Sequence, residues 1–444
     1  MLAKVQEAWG NIRSSWWFVP LIMATAAILL AFITTLLDAR FSEVFAGGFG
    51  LYAGGVEGTR AVLETVATSL ITVAGVAFSV AIVVMTLASS QFGPRVLRTF
   101  MRDTGNQITL GMFVATYLFC LLVLRTVRSE DGVGDEFIPA LSVTVAMLLT
   151  IASLAVFIYF IHHSARSIQA SHIIAAIGGQ LEGMVDSLFP SQLGQAATGE
   201  QERPPQGEGR LVHTEHTGYV QLISSRSLLT AASEHDVVVE LLAAPGDFLV
   251  AGAPVARVRP AERVDDETAK RIRGAFAMGS ERSDQQDISF MFDELQQMCL
   301  RALSPALNDP ITANQCLDRM AAGLALLAQA ETPAGARADE KGSVRVLARP
   351  VTVADILERA FAEIRRSGRE NVTASRRYLR AMAVVGAVAT RADDLAALRE
   401  ECRRVVDEAS PELSADDRAI LREEQREALT VMSALEDQPP PVRP

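Results

Sequence analysis

The sequence predicts an α-helical membrane protein with four transmembrane helices and a cytoplasmic α+β region, made of a small β barrel or sandwich module and a helical domain. Three observations predict it. Four long apolar runs fall within the first 165 of 444 residues, and no comparable run follows. Residues 210–260 change to short β-branched and aromatic runs separated by glycine and proline turns. From Asp265 onward the apolar spacing is again that of amphipathic helices.

The apolar runs are Trp16–Leu37, Val66–Ala88, Ile108–Leu124 and Ile138–Ile161. About 20 apolar residues cross a bilayer core, so each run is a span, the third being the shortest. The first is too long for the apolar part of a secretory signal and lacks a small-residue cleavage site. Trp9, Trp16 and Trp17 suit its interfacial end. Lys4 and Arg13 precede the first span, Arg95, Arg98 and Arg102 fill the second loop, and Arg166 follows the fourth span. The other two loops mix both signs. This distribution places both termini in the cytoplasm.

Residues 1–170 carry 10 basic and 10 acidic side chains, so the whole net charge of −11 lies beyond them. An acidic cytoplasmic part argues against nucleic acid as a partner. Cys120, Cys299, Cys316 and Cys402 show neither disulfide nor zinc spacing, and no metal or other cofactor is expected.

The fourth helix is expected to extend into the cytoplasm over Arg166–Phe189, and residues 171–209 to form a helical extension and linker, with the linker itself at 194–209 (GQAATGEQERPPQGEG). Strands are expected at Tyr219–Ile223, Val237–Leu242, Phe248–Val250 and Val255–Val258. PGDFLVAGAPV (245–255) resembles the strand–turn–strand of biotinyl and lipoyl carriers, but without the lysine those carriers modify. Helices follow near 265–278, 284–303, 310–330, 352–368, 370–391, 393–409 and 414–435. A loop is expected at 331–350 and a disordered tail at 437–444.

The second span holds the most informative pattern. Thr65, Thr72, Ser79 and Thr86 recur every seven residues, and Thr68, Ser69 and Ser90 fall beside them. At about 100° per residue all seven lie within roughly 100° of arc. Such a seam either packs against another helix, for which the seven-residue period is suited, or faces water along a permeation path. In the second case Val76 and Val83 would form apolar constrictions able to gate by dewetting. A symmetric oligomer built around this helix satisfies both readings. No Asp, Glu, Lys, Arg or His lies inside the four apolar cores, which argues against an energy-coupled pump. At the helix end, Gln91, Arg95, Arg98 and Arg102 are inner-mouth candidates, although arginines there also serve as plain interfacial anchors. His162 and His163 are adjacent rather than four apart, so they read as interfacial groups, not metal ligands.

In RALSPALNDPITANQCLDRM (301–320), Asp309 and Pro310 suit the start of a helix. Capping accounts for most of this motif. Arg301, Asn308, Asp309, Thr312, Gln315 and Arg319 also form a candidate ligand pocket near a helix N-terminus. There is no Walker loop, nucleophile elbow, HExxH or GxGxxG fingerprint, so enzymatic activity is not expected.

Together with that motif, ITVAGVAFSVAIVVMTLASSQFGPR (71–95), GNQITLGMFVATYLFCLLVLRTVR (105–128) and IYFIHHSARSIQ (158–169) resemble a bacterial family of predicted membrane proteins, the domain of unknown function 2254. The resemblance implies a multi-pass membrane region of the bacterial inner membrane followed by a cytoplasmic domain, and brings no activity with it. The leading functional expectation is a passive, homo-oligomeric channel or permeation pathway with a cytoplasmic regulatory domain. The alternative is a membrane-anchored scaffold or sensor that recruits a protein partner through its helical domain and has no pore.

Overall fold

A computed structural model describes residues 17–41, 54–92, 103–128, 137–167, 169–185, 188–197 and 208–434. Two compact units divide the chain, one within Val5–His172 and one within Ile173–Pro444.

The first unit contains α1 (Phe18–Arg40), α2 (Val56–Phe92), α3 (Thr104–Leu124) and α4 (Ala140–Ser167). All four are long and apolar enough to cross a membrane. Helix α3 is the central one and packs against the other three. Its Phe113, Phe119, Cys120 and Val123 are fully enclosed. Gly111 lets α1 approach closely, because a Cβ there would lie 2.6 Å from the Met23 sulfur and 3.1 Å from the Pro20 Cα. Thr116 and Ser153 join α3 to α4 through their hydroxyls, 3.0 Å apart.

Helix α2 starts ten residues before the apolar run that predicts it. Glu57, Arg60 and Glu64 therefore sit on its first turns rather than in a loop, and Arg60 Nη2 donates to the Val127 carbonyl at 3.2 Å. Asp38 follows the first apolar run in sequence and is likewise helical. It lies at the end of α1 with only 2% of its surface exposed, and it caps α4. The amides of Leu141 and Ser142 donate to its two carboxylate oxygens at 2.9 and 3.0 Å, and the Ser142 hydroxyl donates at 2.6 Å. A helix N-terminus carries partial positive charge and unpaired amides, which is why a buried carboxylate is tolerated there.

Next comes α5 (Ala170–Val185), a helix separate from α4, whose residues from Ile173 onward belong to the second unit. The strands are β1 (Gln195–Ala196), β2 (Arg210–His213), β3 (Gly218–Ile223), β4 (Val238–Leu241), β5 (Phe248–Leu249), β6 (Pro254–Arg259), β7 (Phe276–Gly279), β8 (Ala336–Ala338) and β9 (Val344–Leu347). They form one sheet in the order β1-β8-β9-β4-β6-β2 and another in the order β5-β3-β7. Helices α6 (Ser225–Glu234) and α7 (Asp266–Arg273) cover a core of Val220, Leu228, Val239, Val258, Ile272 and Val346.

This arrangement corrects the expected barrel. The larger sheet is open, with edges at β1 and β2, and residues 210–260 do not supply it alone. β4 pairs in parallel with β9, which lies in the segment expected to be a loop. β7 occupies the end of the stretch expected as a 265–278 helix. Gly274 ends α7, and the chain extends from Phe276 to pair with β3.

The rest is helical: α8 (Ile288–Ala302), α9 (Pro310–Gln329), α10 (Val353–Ile356), a π turn at Leu357–Phe361, α11 (Ala362–Gly368), α12 (Val372–Gly386), α13 (Ala392–Asp407) and α14 (Ala415–Ser433). Helix α12 lies between α9 and α14. Arg365, Glu401 and Tyr378 are buried at 7%, 3% and 2% exposure. Arg365 Nε and the Tyr378 hydroxyl both donate to Glu401 Oε1, at 2.8 and 2.6 Å.

Candidate functional site

The strongest candidate is the outer face of α2. Leu63, Ala67, Leu70, Ala77, Ala81 and Val84 are buried, and their three- and four-residue spacing makes one narrow inward stripe. The hydroxyl seam lies on the opposite side of the cylinder. Thr65, Thr68, Ser69, Thr72, Ser79, Thr86 and Ser90 are all exposed on the first unit. Among the described residues, the part of the seam from Thr65 to Thr86 is therefore not covered by the other three helices of its own unit. Val76 and Val83 share this face and are 52% and 55% exposed. Gly75, beside them, has nothing within 4 Å of a Cβ built on it.

From Thr65 to Ser90 the seam extends about 38 Å, longer than a hydrocarbon core of about 30 Å. Several hydroxyls are satisfied by their own helix. Thr72 donates to the Thr68 carbonyl, Thr86 to Ile82 and Ser90 to Leu87, each at 2.9 Å. Such back-bonding lowers the cost of a hydroxyl in an apolar medium while leaving its oxygen available to accept from water or a neighbouring helix. The stretch from Thr65 to Phe92 holds no charged residue. The face thus offers neutral dipoles along its length with apolar side chains between them. The side chain of Gln91, and Arg95, Arg98 and Arg102 altogether, lie outside the described residues.

A second polar group was not legible in the sequence. Asp103 caps α3 by accepting from the Asn106 amide at 3.0 Å. His163 Nε2 lies 2.9 Å from both Asp103 carboxylate oxygens, and the His163 ring stacks on Tyr159 at 5.2 Å. His163, expected as a plain interfacial group, thus joins the end of α4 to the start of α3. The Asp-Thr-Gly start of α3 was the available signal, since Asp favours a cap position. Among the described residues no cluster of three or more His, Cys, Asp or Glu is placed to hold a metal.

In the second unit, Asp309 caps α9. Its Oδ1 accepts from the Ile311 and Thr312 amides at 3.1 Å, and Oδ2 from the Thr312 hydroxyl at 2.5 Å. These bonds hold the Asp309 carboxyl below the usual carboxylate range. Asn308 makes the turn with φ of 44°. Arg301 and Asn308 are exposed, and Thr312 and Gln315 are half-buried. Arg319 lies over Gly178 of α5 and reaches Glu182 at 3.7 Å. The motif's polar groups are thus divided between a cap, a turn and a contact with α5.

A family model described as a predicted membrane protein, DUF2254, matches residues 13–384. Similar curated proteins include uncharacterized proteins of Mycobacterium bovis and Mycobacterium tuberculosis, each 33% identical over 325 residues. The alignments cover 72% of this chain and 62% of each relative, so the chain spans about three-fifths of their length. No solved structure matches.

Proposed function

This chain belongs to the predicted membrane protein family DUF2254, and from that premise we propose that it forms a passive, homo-oligomeric permeation pathway lined by the outer face of α2. One observation carries the reading: seven hydroxyl-bearing side chains run the length of a membrane helix on the side turned away from its own bundle. Lipid-facing helix surfaces do not need such a seam. A second copy does, because small and hydroxylated residues permit close helix approach and interhelical hydrogen bonds. Copies arranged around an axis would pack through part of the seam and leave the rest facing a narrow path. The charge-free stretch from Thr65 to Phe92 suits passive passage, as no group in it can bind and release a driving proton. Both termini and the second unit would lie in the cytoplasm of a bacterial cell, where the second unit would regulate opening.

Self-association through α2 is tested by cross-linking in native membranes. Thr72→Cys is expected to cross-link into dimers and higher species. Ile151→Cys, on the exposed face of α4 at 65% exposure, is expected to stay monomeric. The native cysteines Cys120, Cys299, Cys316 and Cys402 are all buried and do not compete. Equal cross-linking at both positions, or none at Thr72, counts against the oligomer.

A membrane-anchored scaffold without a pore is the second reading. It is favoured by Leu307 and Ile311, which stand 57% and 70% exposed around the turn between α8 and α9 and offer a partner an apolar contact. It predicts no self-cross-linking at Thr72 and retention of a second protein by the membrane-bound chain.

A further inference from the structure

The second unit contains a cleft of about 480 Å³ with the features of an anion site. It opens at the carboxyl ends of the parallel strands β4 and β9, where the chain leaves the sheet as Leu242–Asp247 and as Ala348–Val351. Ligands in α/β sheets commonly bind at such strand ends. The first turn of α8, a 15-residue helix, closes the floor.

Two observations point to a ligand there. Asp287 stands at the cap position of α8 but makes no side-chain bond to the first-turn amides. Its Oδ2 instead accepts from Arg282 Nε at 2.9 Å. The amides at the helix start thus remain without their usual side-chain cap. Independently, Ser289 is only 7% exposed, lines the cleft, and has no hydrogen-bond partner for its hydroxyl among the described residues. Its oxygen still reaches the cleft, where it is free to bond a ligand in place of water.

The acidic residues around the cleft are already engaged. Asp247 accepts from the Ala244 amide at 2.8 Å, and Asp355 from the Thr352 amide at 3.0 Å and hydroxyl at 2.7 Å. Burial pushes the Asp287 carboxyl above the usual range, and the Arg282 guanidinium bonded to it offsets its charge. Two guanidinium groups stand at the rim. Arg349 is 81% exposed on Asp355 and Arg359 is 45% exposed on Asp293, and exposed pairs of this kind exchange partners at little cost. Phe189, Leu242, Pro350 and Val351 supply apolar wall. One inorganic anion would leave most of the volume empty.

We propose that this cleft binds a phosphate-bearing small molecule, with the phosphate at the start of α8 against Ser289, the rim arginines closing over it, and an apolar or flat body along Phe189 and Val351. The proposal does not depend on the permeation reading.

The test uses the purified full chain in detergent. Isothermal titration is run with adenosine 5′-monophosphate and with inorganic phosphate as probes, against chloride at matched ionic strength. Saturable binding of both probes at one site, mutually competitive and tighter for the monophosphate, is the expected result. Ser289→Asp should weaken it at least tenfold. An acidic residue in a first helical turn supports the helix, so this variant should stay folded. Arg349→Ala should weaken binding several-fold without changing the melting temperature of the free protein. No saturable heat with either probe overturns the proposal. So does binding that both variants leave unchanged.

Discussion

Glu401→Ala lowers the stability of the second unit by about 3–5 kcal/mol, the usual cost of leaving a buried charge without its partner. Among the described residues Glu401 is the one carboxylate that accepts from both Arg365 and Tyr378, and all three side chains are buried. Removing it strands a guanidinium and a phenol where water does not reach. Arg365 retains a contact with Glu408, but that residue is far more exposed and cannot replace both bonds. For a unit of this size the loss corresponds to a melting temperature lower by on the order of 10 °C. Thermal unfolding of the full chain in detergent, followed by circular dichroism, measures it. Arg366→Ala, on an exposed pair with Glu363, is the control and should change stability by less than about 0.5 kcal/mol. A Glu401→Ala protein that melts like the control would show that the triad contributes nothing.

Asp38→Ala has the other large effect, and it acts on the first unit. The substitution removes the acceptor for two backbone amides and one hydroxyl at the start of α4. Each stranded buried donor costs about 1–3 kcal/mol, so a loss of about 3–5 kcal/mol follows, together with loosening of α1 from α4. Asp38→Asn keeps a neutral acceptor and should recover part of the loss. The readout is the fraction of full-length protein that stays monodisperse in detergent on heating. Equal behaviour of the alanine and asparagine variants would contradict the capping role.

The spans were legible in the sequence because a bilayer demands a long apolar run, and four such runs stand clear of everything else. Their ends were less so. Glu57, Arg60 and Glu64 belong to α2, yet hydropathy alone cannot distinguish a charged first helical turn from a loop. In the second unit, β8 and β9 escaped notice because they are three and four residues long and carry Arg337 and Arg345. Arg337 is 5% exposed inside the sheet, where its guanidinium donates to the carbonyls of Ser191, Leu193 and Gly194. A buried arginine satisfied by distant carbonyls looks, in sequence, like a solvated loop residue. The parallel pairing of β4 with β9 joins positions about a hundred residues apart, which local pattern does not encode.

The hydroxyl seam was legible as a period, since seven residues place successive side chains on one helical face. Its direction was not, because period alone does not say which face meets the bundle. That was decided by α3, whose Phe113 packs against the stripe of Leu70, Ala77, Ala81 and Val84 on the other side of α2. The Asp103–His163 contact was hidden for a different reason. It joins residues sixty positions apart, each of which reads by itself as an ordinary interfacial group.

The permeation reading is tested most directly by ion flux from liposomes containing the Ser79→Cys protein, measured before and after a charged, membrane-impermeant thiol reagent. Buried native cysteines leave the introduced thiol as the accessible one. The account predicts flux through the untreated protein, its loss on modification of Ser79→Cys, and no effect of the reagent on the wild type or on Ile151→Cys. Absence of flux from the assembled protein, or flux that persists after Ser79→Cys is fully modified, would contradict a path along α2.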